Sequence, residues 1–381
     1  MIENNHEMRK WRHDIHRHPE LGFDEGRTAG KIAELLKSFG LEVHENIGTT
    51  GVVGVLKRGT SEKTIGLRAD MDALPIQEMG EWGHKSLNEG VFHGCGHDGH
   101  TAMLLGAAKH LAERGEFDGT VYFIFQPSEE NGLGALAMMD DGLFDRFKMD
   151  AIYGLHNMPG IAFGEIALRP GQMMTSEDCF VIEIKGKGGH ASMPHMTLDP
   201  MVVGVEVVTV LQSIISRSLG PEEWGVLSVT EFLTDGARNI IPSNVTIKGD
   251  VRTLDPEVQK KIEKRMGEIV HSLCEAHGIK GSLQYSYEFI ALKNSDDQAK
   301  SAAQAAIDTV GADKVDDSCS ICPCSEDFAQ FLNYVPGCFV LLGAGDGDDH
   351  PPLHNPYYDY EDELLTIGAN YWANLVSQQL V

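Results

Sequence analysis

The chain is 381 residues long, more than one domain usually holds and in the range of two. Hydrophobic residues make up 42% and charged residues 23%, enough apolar material for a sizeable core, while 57 Asp+Glu against 31 Lys+Arg give a formal net charge of -26. That charge repels phosphate backbones and anionic membrane surfaces, so nucleic acid and membranes are not expected as partners, and any arginine able to meet an anionic substrate gains interest.

Met1 to Glu7 offers neither a basic region nor an apolar run, and no later uncharged run is expected to reach membrane-spanning length. The expected location is cytoplasmic. Seven cysteines, an odd number spread over a long chain, make a disulfide framework improbable.

Helical spacing of apolar residues predicts helices over 7–18 and 25–39, the second carrying Ala29, Ile32, Leu35, Leu36 and Phe39 on one face before Gly40. Apolar runs predict strands over 51–56, 64–69, 120–125 and 150–155, with helices over 101–114 and about 133–139 between the later ones. Alternating strands and helices indicate an α/β domain with a mostly parallel sheet. Asp70, Asp72, Glu129, Glu130 and His156 all fall just past the carboxyl ends of these strands, where open α/β sheets place their ligand sites.

From 178 the grammar changes to strand 179–184, helix 200–216, strands 225–233 and 245–251, helix 256–277 and strand 282–288. This βαββαβ order is the ferredoxin-like split βαβ unit. It reads as a second domain over 178–290, inserted into a first domain over 1–177 and 291–381. The first domain then resumes with a helix over 297–310, a strand over 338–342 and a closing helix from 361 to about 379.

Chemistry concentrates in Gly94-Cys95-Gly96-His97-Asp98-Gly99-His100, which packs a thiol, two imidazoles and a carboxylate against the start of a helix. A helix N-terminus lowers a thiol pKa and so favours a thiolate ligand. The plainer alternative is a Gly-rich turn with a buried cysteine and surface histidines. Adjacent residues at a strand end point in different directions, so one member of Glu129-Glu130 can bind a metal while its neighbour faces the metal-bound water. An isolated acidic pair is more commonly just exposed surface. With His156 and with His354 in Leu353-His354-Asn355-Pro356, the residues Cys95, His97 and Glu130 make five S, N and O ligands. Five are too many for one tetrahedral zinc and suit two ions sharing a water.

These residues stand in text that resembles the M20 metallopeptidases, in the branch of aminoacylases, hippurate hydrolases and auxin-conjugate amidohydrolases. The matching stretches are HRHPEL at 16–21, RADMDALP at 68–75, HGCGHDGH at 93–100, QPSEE at 126–130, GLH at 154–156, GGHASMPH at 188–195, NIIP at 239–242, SEDF at 325–328 and LHNP at 353–356. They run in order from end to end of the chain.

The resemblance implies a catalytic domain that holds two divalent metal ions, with an inserted lid that also forms a homodimer interface. It assigns Cys95, His97, Glu130, His156 and His354 as metal ligands and Glu129 as general base. His190, from the lid of the partner subunit, would stabilise the oxyanion, while Asn239 and Arg252 would hold the substrate carboxylate. Asp72 is expected to orient a metal-binding histidine. The implied activity is hydrolysis of N-acyl-L-amino acids, a small-molecule substrate class, with a dipeptidase or carboxypeptidase as the alternative. The ligand set suits Mn²⁺ or Zn²⁺ and admits Co²⁺ or Ni²⁺.

Two stretches depart from the family text. Cys319, Cys322 and Cys324 stand where relatives usually carry Met and Gly; lacking a paired CxxC, they are expected to be buried free thiols rather than a zinc or redox site. The acidic run Asp346-Gly347-Asp348-Asp349 is expected to be a solvated loop near the site mouth.

Overall fold

The computed structural model describes residues 2–347 and 351–381. Of the acidic run, Asp346 and Gly347 are exposed, while Asp348 and Asp349 lie outside the described residues. The chain divides into two units, one of residues 1–173, 293–320 and 327–381 and the other of residues 174–292 and 321–326.

The larger unit is built on an eight-stranded sheet in the order Glu42–Ile47, Gly51–Arg58, Gly119–Gln126, Thr64–Asp70, Ala151–Met158, Gly337–Gly343, Ile166–Ala167 and Val315–Asp316. Its four middle strands run parallel, and antiparallel partners close it toward both edges. Those middle strands are apolar almost throughout, as strands covered on both faces must be: Gly337–Gly343 is buried at every position. Helix His97–Arg114 is likewise buried on most of its circumference, with Met103, Leu104, Leu105, Ala107, Ala108 and Leu111 inside. Each large apolar side chain there contributes roughly 1.5–3 kcal/mol by leaving water.

This helix begins at His97, four residues before the expected start, because Gly96 takes a left-handed conformation at φ +92 and turns the chain into the first helical turn. A side chain at Gly96 would also collide with Asn157, whose Oδ1 would lie 2.4 Å from its Cβ. The sequence reading also missed strand Glu42–Ile47, whose mixed pattern of charged and apolar residues carries only its last residue into the core.

The smaller unit is an antiparallel sheet in the order Gly225–Thr234, Asn244–Thr253, Glu177–Lys185, Lys280–Phe289, packed with helices Pro200–Ser213 and Pro256–Ala276. Numbering its strands along the chain, the spatial order is 2-3-1-4, the arrangement of the ferredoxin-like split βαβ unit. It has its own core, including Phe180, Ile182, Val207, Ile247, Ile262 and Met266.

Pro200–Ser218 holds an 18-residue stretch of mean hydropathy 1.4, long and apolar enough by length and composition to cross a membrane, although Glu206 and Arg217 interrupt it as an uncharged run. In the structure Val203, Val207, Leu211 and Ile214 turn into the core of the smaller unit, whereas Met201, Val202 and Val205 are exposed.

The three clustered cysteines differ from expectation as well. All are free, but only Cys319 is buried; Cys322 is half-buried and Cys324 is exposed. Segment 321–326 belongs to the smaller unit, where the Thr175 N–H donates to the Cys324 carbonyl at 3.0 Å. There the Cys322 thiol and the positive charge of Arg252 bring the Cys324 thiol down to about 7.

Candidate metal centre

The site gathers at the carboxyl ends of the parallel strands of the larger unit, the position that open α/β topology leaves for ligands. Strand Thr64–Asp70 delivers Asp70 and then Asp72, strand Gly119–Gln126 runs into the turn carrying Glu129 and Glu130, and strand Ala151–Met158 carries His156 near its end. The loop before helix His97–Arg114 supplies Cys95, and the helix supplies His97 and His100.

The imidazole orientations are set from behind. His97 Nδ1 lies 2.9 Å from the Asp72 carbonyl and 3.2 Å from its carboxylate, so Nδ1–H donates there and Nε2 is turned toward the cluster. His156 donates from Nδ1 to the Asn157 carbonyl at 2.6 Å, which turns its Nε2 toward Cys95 Sγ at 3.4 Å. Cys95 Sγ, a ring nitrogen of His97 and an oxygen of Glu130 lie within 4.8 Å of one another. His354, at φ +64 with its N–H on the Gly94 carbonyl, brings Nε2 to 3.6 Å from Glu130 Oε2. Residues as distant in sequence as Cys95 and His354 are thus joined through Glu130.

Asp70 and His100 belong to the same place and were not assigned roles from sequence. His100 Nδ1–H donates to Asp70 Oδ1 at 2.6 Å, and Arg68 grips the other oxygen at 2.8 Å. Arg68 in turn reaches Asp327 at 3.1 Å and the Gln126 amide oxygen at 2.8 Å, an entirely buried network. Asp70, His97, His100 and His156 form a second group whose ligand atoms lie within 4.8 Å of one another. The available signal was spacing: His97 and His100 are three apart and so share a helix face.

Electrostatics mark the pocket as overcharged with anions. Burial raises the Glu130 carboxyl to about 7, with Asp72 and Asp70 adding to the shift and His97 opposing it. Burial disfavours a charged His97, yet Asp70, Asp72 and Glu130 outweigh it and raise the ring to about 10. The expected lowering of the Cys95 thiol is reversed: burial and the charges of Glu130, Glu129 and Asp70 hold it well above the usual thiol range. Burial, then the neighbouring His100, keep His156 well below an ordinary imidazole. His97 Nε2 and Glu130 Oε1, both buried, have no hydrogen-bond partner. Soft, borderline and hard donors crowded together with unsatisfied atoms fit divalent cations, whose charge would oppose the upward shifts of Cys95, His97 and Glu130 and add to the lowering of His156.

Glu129 is buried beside this cluster, close enough that its charge acts on Cys95. The remaining expected residues lie in the smaller unit. His190 is exposed on a two-residue strand paired with Ile240, and its Nδ1 accepts the Ser192 hydroxyl at 2.8 Å, leaving Nε2–H to donate. Asn239 is its neighbour, accepting the Ala191 N–H at 3.1 Å on its carbonyl. Arg252 is half-buried, its guanidinium 2.9 Å from both Glu177 and Asp250.

A mostly parallel α/β unit with a buried thiol, imidazole and carboxylate cluster at its strand ends defines a metal-dependent hydrolase. The chain belongs to peptidase family M20/M25/M40, whose model matches residues 66–378. It is 42% identical over 374 residues to the hippurate hydrolase of Campylobacter jejuni, covering 98% of this chain and 97% of that protein. An N-acetylcysteine deacetylase of Bacillus subtilis is 34% identical over 366 residues, 96% of this chain and 94% of that protein. The YXEP protein of Bacillus subtilis, a dinuclear metal-binding peptidase of the M20 family, superimposes with a TM-score of 0.84 at 31% identity, covering 99% of this chain and 98% of that one.

Proposed function

We propose that the protein is a metal-dependent amidohydrolase that cleaves N-acyl-L-amino acids into a carboxylic acid and a free amino acid. The observation that carries this reading is the convergence of Cys95, His97, Glu130, His156 and His354 around unsatisfied donor atoms, with Glu129 buried beside them. The named substrates of the relatives, hippurate and N-acetylcysteine, are acylated amino acids, which supports the same class here.

Those five residues would hold two divalent cations, Mn²⁺ or Zn²⁺ by their donor chemistry, with Co²⁺ and Ni²⁺ also suited. When bound, such ions make water nucleophilic at neutral pH and stabilise negative charge on the amide oxygen. Glu129 takes the proton of the attacking water and delivers it to the leaving amine. Asp72 orients His97. In the smaller unit, read as the lid and dimerisation domain, His190 donates to the oxyanion, and Asn239 and Arg252 hold the substrate carboxylate. What supports His190 is its free Nε2–H; what supports Arg252 is its place as a cation in a chain of net charge -26.

We assign the chain to a homodimer formed through the smaller unit, because the exposed Met201, Val202 and Val205 on its helix and Phe232 and Leu233 on its edge strand are an apolar surface that a second copy would cover. Seven free thiols suit the reducing cytoplasm. A panel of N-acetyl and N-benzoyl amino acids against unblocked dipeptides tests the function. Turnover of the acylated compounds alone is expected, since a free substrate amine would need an acidic partner. Preference for dipeptides would replace this reading with the dipeptidase alternative.

A further inference from the structure

The turn that presents Glu129 and Glu130 holds a conformation that Ser128 would not choose alone. Ser128 sits at φ +54, left-handed and uncommon for a residue with a side chain. Such a conformation persists where the surroundings over-determine it. Two carboxylates supply that constraint from either side of Glu129. Asp72 Oδ2 accepts the Glu130 N–H at 3.1 Å. Glu25 accepts the Ser128 N–H on Oε1 at 2.8 Å and the Thr50 hydroxyl on Oε2 at 2.6 Å.

Glu25 is fully buried at the start of helix Gly26–Ser38, far along the chain from the turn it grips. A buried carboxylate is costly unless its oxygens are satisfied, and these two donors satisfy it. The residues just before it close on the site as well. The Glu20 carbonyl accepts the Ala73 N–H at 2.9 Å, one residue beyond Asp72. Gly22 lies so close to the turn that a Cβ there would stand 2.2 Å from Ser128 Oγ.

We infer that Glu25 is a positioning residue for catalysis: by holding the Ser128 backbone it keeps the adjacent carboxylates of Glu129 and Glu130 aimed in their separate directions. Glu25 touches no reacting atom and supplies no proton. The inference rests on the reading of Glu129 as the general base.

The test is a series of Glu25→Gln, Glu25→Asp and Glu25→Leu in the full-length, metal-loaded enzyme, with Glu129→Gln alongside. In Glu25→Gln the amide oxygen can still accept from Ser128, and its NH₂ can donate to Thr50, whose hydroxyl turns to accept; kcat should stay within about threefold of wild type. Glu25→Asp withdraws the carboxylate by one methylene and Glu25→Leu removes it, with expected kcat losses of about tenfold and about a hundredfold, the latter the size that a misplacement of about 1 Å costs. KM should stay within about twofold, since no substrate contact has been removed, and kcat is taken per metal-loaded subunit because a misaimed Glu130 also weakens metal binding. Wild-type kcat per metal-loaded subunit in Glu25→Asp, whether or not Glu25→Leu folds, overturns the inference, as does a loss of thermal stability with no loss of kcat. A near-wild-type kcat in Glu129→Gln would instead sink the reading of Glu129, an outcome distinct from any in the Glu25 series.

Discussion

His97 and Glu130 face each other across 3.8 Å in the interior, and neither His97 Nε2 nor Glu130 Oε1 makes a hydrogen bond. A buried polar atom without a partner costs on the order of 1–3 kcal/mol. Several such atoms, with Cys95, His156 and His354 converging on the same space, form a pocket whose stability improves when a cation enters.

Metal should therefore stabilise the protein, and Glu130 should be needed for it. Chelator-treated protein should gain thermal stability on titration with Zn²⁺ or Mn²⁺, by about 2.7 kcal/mol when free metal is a hundredfold above its dissociation constant. Glu130→Gln should lose most of this gain and bind fewer equivalents by elemental analysis. An unchanged melting curve in the wild type, or full metal content in Glu130→Gln, would remove Glu130 from the ligand set.

His16, which is not one of the proposed metal ligands, gives a pH dependence of its own. It is fully buried, with Nδ1 2.9 Å from Asp98 and Nε2 3.0 Å from Glu78. Burial disfavours its cation, but Asp98 and Glu78 outweigh that cost and raise it to about 9. Since the folded pKa exceeds the unfolded value of about 6.5, the stabilisation is fully present below pH 6.5 and is lost as pH rises through about 9. The difference in unfolding free energy between wild type and His16→Gln should shrink over that interval by an amount on the order of 3 kcal/mol. A difference that is flat with pH would show that His16 does not carry the charge.

The candidate site was legible where long motifs carried residue types suited to metal binding, which is why Cys95, His97, Glu130, His156 and His354 could be grouped before any geometry. What escaped the sequence was the support behind them. Asp70 is two residues from Asp72, yet it hydrogen-bonds His100 and Arg68 while Asp72 takes the His97 Nδ1–H, a difference of side-chain direction that residue types do not encode. Glu25 reads as one more polar residue at a helix start; its partner Ser128 is reached only through the tertiary fold. The helix start moved to His97 because Gly96 adopts a positive φ, a backbone choice invisible to apolar periodicity. Segment 321–326 breaks the simple division into an outer and an inserted domain, since its strand-like pairing with Met174 and Thr175 draws it into the smaller unit.

Arg252 should control recognition of the substrate carboxylate. Its Nη1 is already shared between Glu177 at 2.9 Å and Ser325 at 3.2 Å, so the guanidinium is fixed in place before any substrate arrives. Hydrogen bonds to a charged partner contribute about 1.5–3 kcal/mol, so Arg252→Gln should lower kcat/KM for an N-acyl amino acid by about ten- to a hundredfold. The same change should matter little for the matching amino-acid amide, which lacks the carboxylate. Equal losses on both substrates would assign Arg252 to the architecture of the smaller unit alone.

The last prediction separates a lid that serves its own active site from one that serves its partner's. If His190 crosses the dimer, Glu129→Gln and His190→Ala each abolish turnover for different reasons, and mixing them can rebuild a site. In a heterodimer of the two variants, the subunit that retains Glu129 receives His190 from its partner, while the other site lacks both groups. Random reassortment makes half the dimers mixed, with one intact site in two, so the mixture should recover about a quarter of wild-type activity. If His190 acts within its own chain, every site in every dimer lacks one group and no activity returns. Substituting Val202 and Val205 by lysine should place charge on the exposed apolar helix face, give a monomer by light scattering and remove activity, because a monomer would have no partner to supply His190. An active monomer would end the crossed arrangement and return His190 to its own chain.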